Sequence, residues 1–334
     1  MTRLSTGPSP HAGIGAADTP TLYFVGVTTS KSSIMTLFPE WAKLLELDAR
    51  IAGIDIALGA APSAYRKCVE AIAADPAARG ALVTTHKAAV FDEAGDLFAE
   101  LDPYAKLCRE VSCVVTRGGE IHGLAKDPIT AGLAMDHMLG PDYWSHPGRH
   151  AVCFGAGGAG LAIAVRLLSA EQRPERLVLV DRDPRRIELA RLVVEELDAD
   201  TEVELRSHVD LSLNDELVAA SPRGSLFINA TGLGKDRPGS PLSGQVRFPQ
   251  HSAVWDLNYR GDLVYLDIAR AQAAAKNLHV QDGWRYFLHG WTEVIAEVFA
   301  LPMTQKRFAT LAQAAERLSG RAGSPVPDRR VTDA

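Results

Sequence analysis

The fold is decided by residues 148–186, which read GRHAVCFGAGGAGLAIAVRLLSAEQRPERLVLVDRDPRR. A short apolar run, Ala151 to Phe154, leads directly into the glycine-rich turn of residues 155–160. A helical pattern rich in Ala and Leu continues to Leu168, and a second apolar run begins at Arg176. Because short apolar runs between turn signals are typical of buried strands, the segment predicts strand, tight turn, helix and strand.

The glycines of the turn suit the binding of a dinucleotide. Gly155 permits the tight turn, Gly157 lets the backbone approach a pyrophosphate, and Gly160 lets the helix lie close to the strand. Free N–H groups at the start of the helix, around Gly158 and Ala159, favour a negative charge. The turn therefore predicts a dinucleotide site. A glycine turn with only a structural role is the alternative.

Asp181 ends the second strand, 21 residues after Gly160. A carboxylate there would accept hydrogen bonds from the adenosine ribose and would repel a 2′-phosphate, so it favours NAD over NADP. Arg182, Arg185 and Arg186 follow closely. An arginine at this place could hold that phosphate, so NADP stays open.

The composition is that of an ordinary globular protein. The 334 residues suggest about two domains, and 46% of them are hydrophobic, which is ample for a sizeable core. The formal net charge of −6 gives no electrostatic basis for binding nucleic acid. The four cysteines are scattered without a CxxC pair. We therefore expect buried thiols in a reducing compartment rather than disulfides or a metal site.

The two ends of the chain are polar. Residues 1–20 lack the apolar core of a signal peptide and are predicted to form a flexible leader. Residues 319–334 are predicted to form a disordered tail. No apolar run reaches the ~18 residues of a membrane-spanning helix. The sequence therefore predicts a cytoplasmic protein that binds neither membranes nor nucleic acid.

Residues 21–128 alternate strand and helix patterns ahead of the glycine turn. Apolar runs at Leu22–Val27, Ile54–Leu58 and Gly80–Thr84 are strand candidates, with helical patterns between them. One of these helices is expected over residues 63–74, with Ser63 as its N-cap. A hairpin is expected around residues 117–119. Strands that alternate with helices predict a mostly parallel sheet.

Polar side chains follow the ends of these strands. Ser30 and Ser32 come after the first strand, where an open α/β sheet binds ligands or where the chain simply turns. Lys87 follows the third strand just where a helix begins, and a lysine is electrostatically unfavourable there. It is therefore a candidate functional residue. Asp127, before Pro128, is either a second such residue or a helix N-cap.

The α/β alternation continues beyond Asp181. Strands are expected at Leu226–Ala230 and Ala253–Leu257, and an apolar helix from Tyr286 to Phe299 is expected to cross back to the first sheet. We predict an α/β fold of two domains: an N-terminal α/β substrate-binding domain and a C-terminal Rossmann NAD(P)-binding domain. The predicted bounds are 21–128, completed by helices from 286–316, and 129–285.

The order of these motifs resembles the shikimate/quinate dehydrogenase family over residues 23–299. That family carries an SxS pair, NVTxPxK, GxNTD, GAGGA, NAT and DxxY segments, and a late glutamine. The resemblance implies NAD(P)-dependent oxidation or reduction of a cyclic hydroxy acid or polyol. The matching positions are Ser30 and Ser32, Leu82–Thr84 with Lys87, Gly123–Asp127, Gly155–Ala159, Asn229–Thr231, Asp256 with Tyr259, and His289.

The resemblance also implies roles for individual residues. Lys87 and Asp127 would be catalytic, exchanging a proton with one substrate hydroxyl while the carbon beneath exchanges hydride with the nicotinamide. This chemistry requires no metal. The implied substrate contacts are Ser30, Ser32, Thr84, Ser112, Tyr259 and His289. The implied cofactor contacts are Gly155, Gly157, Gly158, Ala159, Asp181, Arg182, Asn229, Ala230, Thr231, Leu257 and Gly283.

The substrate segments depart from the family pattern. The asparagine of NVTxPxK is Leu82 here, and the asparagine of the family's GAVNT segment falls on Ser112. The NTD triplet has become residues 125–127, Ala-Lys-Asp, and the late glutamine aligns with His289. A site that loses groups for binding hydroxyls changes what it selects. We therefore expect the best substrate to be a compound other than shikimate. Ser30 and Ser32 resemble the family's carboxylate-binding hydroxyls, so we expect this substrate to carry a carboxylate.

Two other functions stay open. One is a sensor or regulatory protein that keeps the fold and the cofactor but has lost efficient catalysis. The other is a two-domain dehydrogenase of a different compound, such as an amino or folate-like one. The expected ligands are NAD, with NADP open, and a small cyclic hydroxy acid or polyol. A homodimer is left open.

Overall fold

The computed structural model describes residues 19–235 and 237–321. The predicted leader and tail therefore lie outside the described residues, except for the stretches 19–20 and 319–321. Within the described part, twelve strands form two six-stranded sheets, and eleven α-helices pack around them. No helix in these residues is long and apolar enough to cross a membrane.

Strands and helices alternate along most of the chain. The strands are β1 Thr21–Gly26, β2 Arg50–Asp55, β3 Ala78–Val83, β4 Glu100–Leu101, β5 Cys113–Arg117, β6 Glu120–Leu124, β7 His150–Phe154, β8 Arg176–Asp181, β9 Glu202–Ser207, β10 Leu226–Asn229, β11 Ala253–Asp256 and β12 His279–Gln281. The helices are α1 Ile34–Leu44, α2 Pro62–Ala74, α3 Lys87–Ala94, α4 Pro103–Cys108, α5 Asp127–Leu139, α6 Gly158–Ser169, α7 Pro184–Leu197, α8 Leu211–Ala220, α9 Val264–Lys276, α10 Trp284–Val298 and α11 Gln305–Leu318.

The first sheet has the strand order β2-β1-β3-β5-β6-β4. β2, β1 and β3 are parallel, and β5 and β6 form the expected antiparallel hairpin. Side chains of β1 alternate between the two faces: Leu22 and Phe24 pack with α1, α10 and α11, whereas Tyr23 and Val25 pack with α2 and α3. Both faces are therefore covered, which explains the continuous apolar runs of these strands.

The second sheet is parallel throughout, with the order β12-β11-β10-β7-β8-β9. This is the doubly wound order of a dinucleotide-binding sheet, and the direction of winding reverses between β7 and β10. Helices α5, α6 and α7 cover one face, and α8 and α9 cover the other. Ligands bind such sheets at the carboxyl ends of the strands beside the reversal, where the glycine turn lies.

Two helices join the sheets. α5 starts just after β6 of the first sheet and packs on α6 of the second. α10 follows β12 of the second sheet and packs on β3, β5 and α5. The two crossings bring the carboxyl end of β3 opposite the glycine turn.

Three local predictions are corrected by the structure. β2 lies at Arg50–Asp55 rather than Ile54–Leu58, because its parallel pairing with β1 ends at Asp55. Ser63 does not cap α2, since the helix already begins at Pro62. Asp127 is not an N-cap either: it is the first residue of α5, and its side chain points to Lys87.

Candidate active site

A cavity of about 440 Å³ lies between the carboxyl end of β3 and the start of α6. Its third wall is formed by α10, through aromatic side chains that include Tyr286 and Trp291. The cavity brings together segments that are far apart in the sequence. The predicted site residues that line it are Thr84, Lys87, Ser112, Asp127, Gly158, Ala159, Leu257, Tyr259 and Gly283.

Lys87 and Asp127 form an ion pair at the cavity wall, through Nζ and Oδ2. Both side chains are mostly buried, with 20% and 13% of their surfaces exposed. Burial lowers the pKa of Lys87, but the negative charges of Asp127 and Glu110 outweigh it, so the pKa is raised above its ordinary value. The lysine is therefore held charged and oriented at neutral pH.

The glycine turn has the close contacts that its sequence predicted. Gly155 has a φ of +102°, which side chains rarely adopt. A Cβ on Gly160 would lie 1.8 Å from the carbonyl oxygen of Gly155, so only glycine lets α6 start so near β7. A Cβ on Gly157 would meet nothing closer than 3.5 Å. No side chain caps the N-terminus of α6, which leaves its first N–H groups for a ligand.

A second, smaller cavity of about 210 Å³ lies beside β8 and β10, on the far side of the turn. Asp181 lines it, but its carboxylate already has partners: Oδ1 accepts from the N–H of Asp183, and Oδ2 from the N–H of Ala156 and from Arg186. The basic side chains that line this groove are Arg182, Arg186, His208 and Arg237. The groove thus presents one acidic side chain beside several basic ones.

Asn229 is fully buried and holds the loop that follows β10. Its Oδ1 accepts hydrogen bonds from the N–H and hydroxyl of Thr231, and its Nδ2 donates to Asp256. Burial raises the pKa of Asp256 to about 6. Asn229 therefore holds this loop in place without lining either of the two cavities, whereas Thr231 lines the smaller one.

Comparisons with known proteins support the fold. No model of a known protein family matches the chain. The chain is 31% identical over 204 residues to the shikimate dehydrogenase (NADP+) of Symbiobacterium thermophilum, a match that spans 60% of this chain and 64% of that protein. It is 29% identical over 279 residues to the shikimate dehydrogenase (NADP+) of Methylobacterium radiotolerans, spanning 81% and 88%. The match to the first relative thus covers slightly less than two thirds of its length.

Among solved structures, the quinate dehydrogenase from Corynebacterium glutamicum in complex with NAD has the same fold. It superposes with a TM-score of 0.71 at 22% sequence identity, covering 90% of this chain and 98% of that chain. The chain is thus similar in sequence to shikimate dehydrogenases and shares its fold with a quinate dehydrogenase.

Some residues that match shikimate/quinate dehydrogenase motifs do not reach the larger cavity. Ser30 is exposed and Ser32 half-buried on the turn after β1, at the same sheet edge as Thr84 but outside the cavity lining. His289 is buried and stacks on Phe308, with ring centroids 3.9 Å apart. His289 therefore lies outside the lining of this cavity, which its neighbours Gly290 and Trp291 reach, and its substrate contact stays a prediction.

The structure also places residues in the cavity that sequence reasoning missed. Tyr286 lies with its hydroxyl 3.4 Å from Asp127 Oδ2, and burial followed by the negative charge of Asp127 raises its pKa well above the ordinary value. Glu110 is buried and lines the cavity near Lys87. Glu110 stands two residues before Ser112, at the alanine of the family's GAVNT segment, so comparing that segment in full would have pointed to it.

Proposed function

We propose that the protein is an NAD(P)-dependent dehydrogenase of a cyclic hydroxy acid or polyol. The observation that carries this proposal is the Lys87–Asp127 ion pair, which faces one cavity with the start of the glycine-turn helix. A proton-transferring pair beside a dinucleotide cradle is the arrangement that exchange between CH–OH and C=O requires.

The chemistry of the chain's own residues follows from this pair. In reduction, the charged Lys87 donates a proton to the substrate oxygen; in oxidation, the neutral lysine accepts the hydroxyl proton. Asp127 orients the ammonium group and balances its charge. The nicotinamide, when bound, supplies or takes the hydride. Tyr286 positions Asp127 from the α10 side.

For the cofactor, we propose NAD, with NADP as a weaker ligand. The uncapped start of α6 would hold the pyrophosphate, Leu257 and Gly283 would border the nicotinamide, and the groove beside Asp181 would hold the adenosine. A Cβ on Gly283 would lie 1.9 Å from the carbonyl oxygen of Leu257, so only glycine lets the backbone at 283 pack against the backbone of Leu257. The negative charge of Asp181 disfavours a 2′-phosphate.

The setting of this activity is also proposed. Residues 21–128 with helices from 286–316 would form the substrate-binding domain, and residues 129–285 the cofactor domain. The four cysteines are free and buried, which suits a reducing cytoplasm. Closure of the two domains over the substrate would bring Ser30 and Ser32 towards the cavity, where they would bind a carboxylate.

The test is the formation of reduced NAD or NADP by purified protein, offered shikimate, quinate and a panel of aminated, dehydroxylated and aromatic ring analogues. Turnover of at least one ring hydroxy acid or polyol is expected. If no compound is turned over although calorimetry shows that NAD binds, the dehydrogenase proposal is overturned. A sensor protein that keeps the cofactor would then be the favoured hypothesis.

A further inference from the structure

The backbone around Glu110 fixes this residue beside Lys87. Arg109 ends α4 in the left-handed conformation, with φ of 50°, and turns the chain sharply before Glu110. The N–H of Val111 then donates to the carbonyl oxygen of Lys87 at 3.1 Å. Glu110 is therefore held between the catalytic pair and the start of α6, on a rigid part of the cavity wall.

The carboxyl group of Glu110 lacks a protein partner at one oxygen. The residue is only 2% exposed, and no described residue donates a hydrogen bond to Oε1. Oε2 lies against the first turn of α6, where a Cβ on Gly158 would come within 2.6 Å of it. A buried polar atom without a partner costs free energy, so it marks a place where a ligand donor would be stabilising.

Few charges act on Glu110. Burial raises its pKa to about 7, while the ammonium of Lys87 lowers it and the carboxylate of Asp127 raises it. The Cys108 thiol and the Tyr286 hydroxyl also lie within its electrostatic reach. The nearest cation, Lys87, is already bound to Asp127. Among residues 19–235 and 237–321, an ionised Glu110 therefore has no cation of its own.

The rest of the cavity wall has lost groups that bind neutral hydroxyls. Leu82 offers only an aliphatic side chain, and Gly290 none, with open space where its Cβ would be. The hydroxyl of Ser112 already accepts the N–H of Lys126 at 2.8 Å. Relative to the family pattern, the cavity has thus exchanged neutral amides for one added acid. This exchange favours a positively charged substituent on the substrate.

We propose that Glu110 selects the substrate, and that the preferred ring carries an ammonium group close to the reacting carbon. The ammonium group would donate to Oε1 and supply the positive charge that the buried carboxylate lacks. This inference rests on the proposed dehydrogenase function, and it narrows the substrate class of the same site.

The experiment compares shikimate with its analogue in which an amine replaces the hydroxyl next to the reacting one. Binding of each compound to the protein with NAD is followed by tryptophan fluorescence, because Trp291 lines the cavity, and kcat/KM is measured in parallel. We expect wild-type protein to prefer the amine by about tenfold or more, because a hydrogen bond between charged groups is stronger than one between neutral groups. Glu110→Gln should abolish this preference. Glu293→Gln, an acid of α10 outside the cavity lining, should keep it.

The pH dependence in wild-type protein gives a readout that needs no variant. Because Glu110 is ionised only above its pKa of about 7, the preference for the amine should grow between about pH 6 and pH 8, where the amine itself stays charged. An equal amine-to-hydroxyl ratio in wild type and Glu110→Gln would overturn the inference while leaving the dehydrogenase proposal intact. The inference would also be overturned if Glu110→Gln changed only the affinity for NAD, because Glu110 would then contact the cofactor and not the substrate. Absence of turnover with any compound would instead overturn the proposed function, and the binding ratio would still decide on Glu110.

Discussion

The glycine turn has a buried carboxylate on each side, and the two differ in whether the protein satisfies their hydrogen bonds. On the adenosine side, both oxygens of Asp181 accept hydrogen bonds from the protein itself. On the cavity side, Oε1 of Glu110 has no donor among the described residues. The sequence motif led to Asp181 as a ligand-binding acid, whereas Glu110 stands where the GAVNT segment has an alanine and no motif calls for an acid. A motif therefore locates an acid, but only the hydrogen bonds around it say whether it is free to bind a ligand.

The strongest test of the cavity side is Lys87→Ala. We expect turnover to fall by about 10²–10⁴-fold, the usual contribution of a general acid or base. NAD affinity should be nearly unchanged, because Lys87 is the first residue of α3 and lies outside the groove beside Asp181. Lys106→Ala, on the exposed side of α4, is the matched control. A Lys87→Ala variant with wild-type rates would rule out the proposed chemistry.

The pH dependence of turnover probes the same residue without a substitution. The negative charges near Lys87 raise its pKa, so the neutral form that accepts a proton becomes available only at alkaline pH. Oxidation should therefore accelerate by about tenfold for each pH unit below that pKa, and reduction should slow as the pH rises through it. Initial rates in both directions over the same pH series would show this. Profiles of the same shape in both directions would contradict it.

The turn between the two sides can be tested with a pair of glycine variants. Gly160→Ala places a Cβ against the Gly155 carbonyl, and we expect a loss of about 1–3 kcal/mol in the free energy of unfolding from overpacking. Gly157→Ala meets no close atom and should leave stability intact while weakening NAD binding. Urea unfolding and calorimetry separate the two effects. Equal stabilities for both variants would show that Gly160 is not needed for helix packing.

Features set by residues close together in the sequence could be predicted for this protein, whereas features that depend on the folded chain could not. The turn from Gly155 to Gly160 and the parallel second sheet follow from local patterns, because glycine geometry and strand periodicity act within a few residues of one another. The cavity cannot be predicted from local patterns, because its side chains come from four separate segments that meet only in the folded chain: Lys87, Glu110, Asp127 and Tyr286. His289 shows a different limit: a shift of one residue on a helix turns a side chain by about 100°, away from the cavity.

On the adenosine side, Asp181→Asn tests whether the acid selects the cofactor. The substitution removes the charge that opposes a 2′-phosphate and releases Arg186, which now lies 3.4 Å from Asp181 Oδ2. We expect the ratio of kcat/KM for NADP over NAD to rise by about tenfold, or ~1.4 kcal/mol. Asp183→Asn is the control, because Asp183 pairs instead with Arg185, which does not line the groove. An unchanged ratio would mean that the hydrogen bonds from the turn leave Asp181 no role in selecting the cofactor.

The remaining test lies away from both acids, at His289. Burial, followed by the charges of His137 and Arg285, lowers its pKa to about 3. In the unfolded chain this histidine takes up a proton near pH 6.5, whereas in the folded protein it stays neutral until the pH approaches 3. Its contribution to the free energy of unfolding is therefore fully present above pH 6.5 and is lost as the pH falls towards 3. His289→Phe keeps the stacking on Phe308 and removes this linkage, so its unfolding free energy should be flatter by up to about 1.4 kcal/mol per pH unit in this range. The control is exposed His146→Ala. Urea unfolding at a series of pH values measures the slope; a change in substrate KM instead of stability would return His289 to the substrate site, where its alignment first placed it.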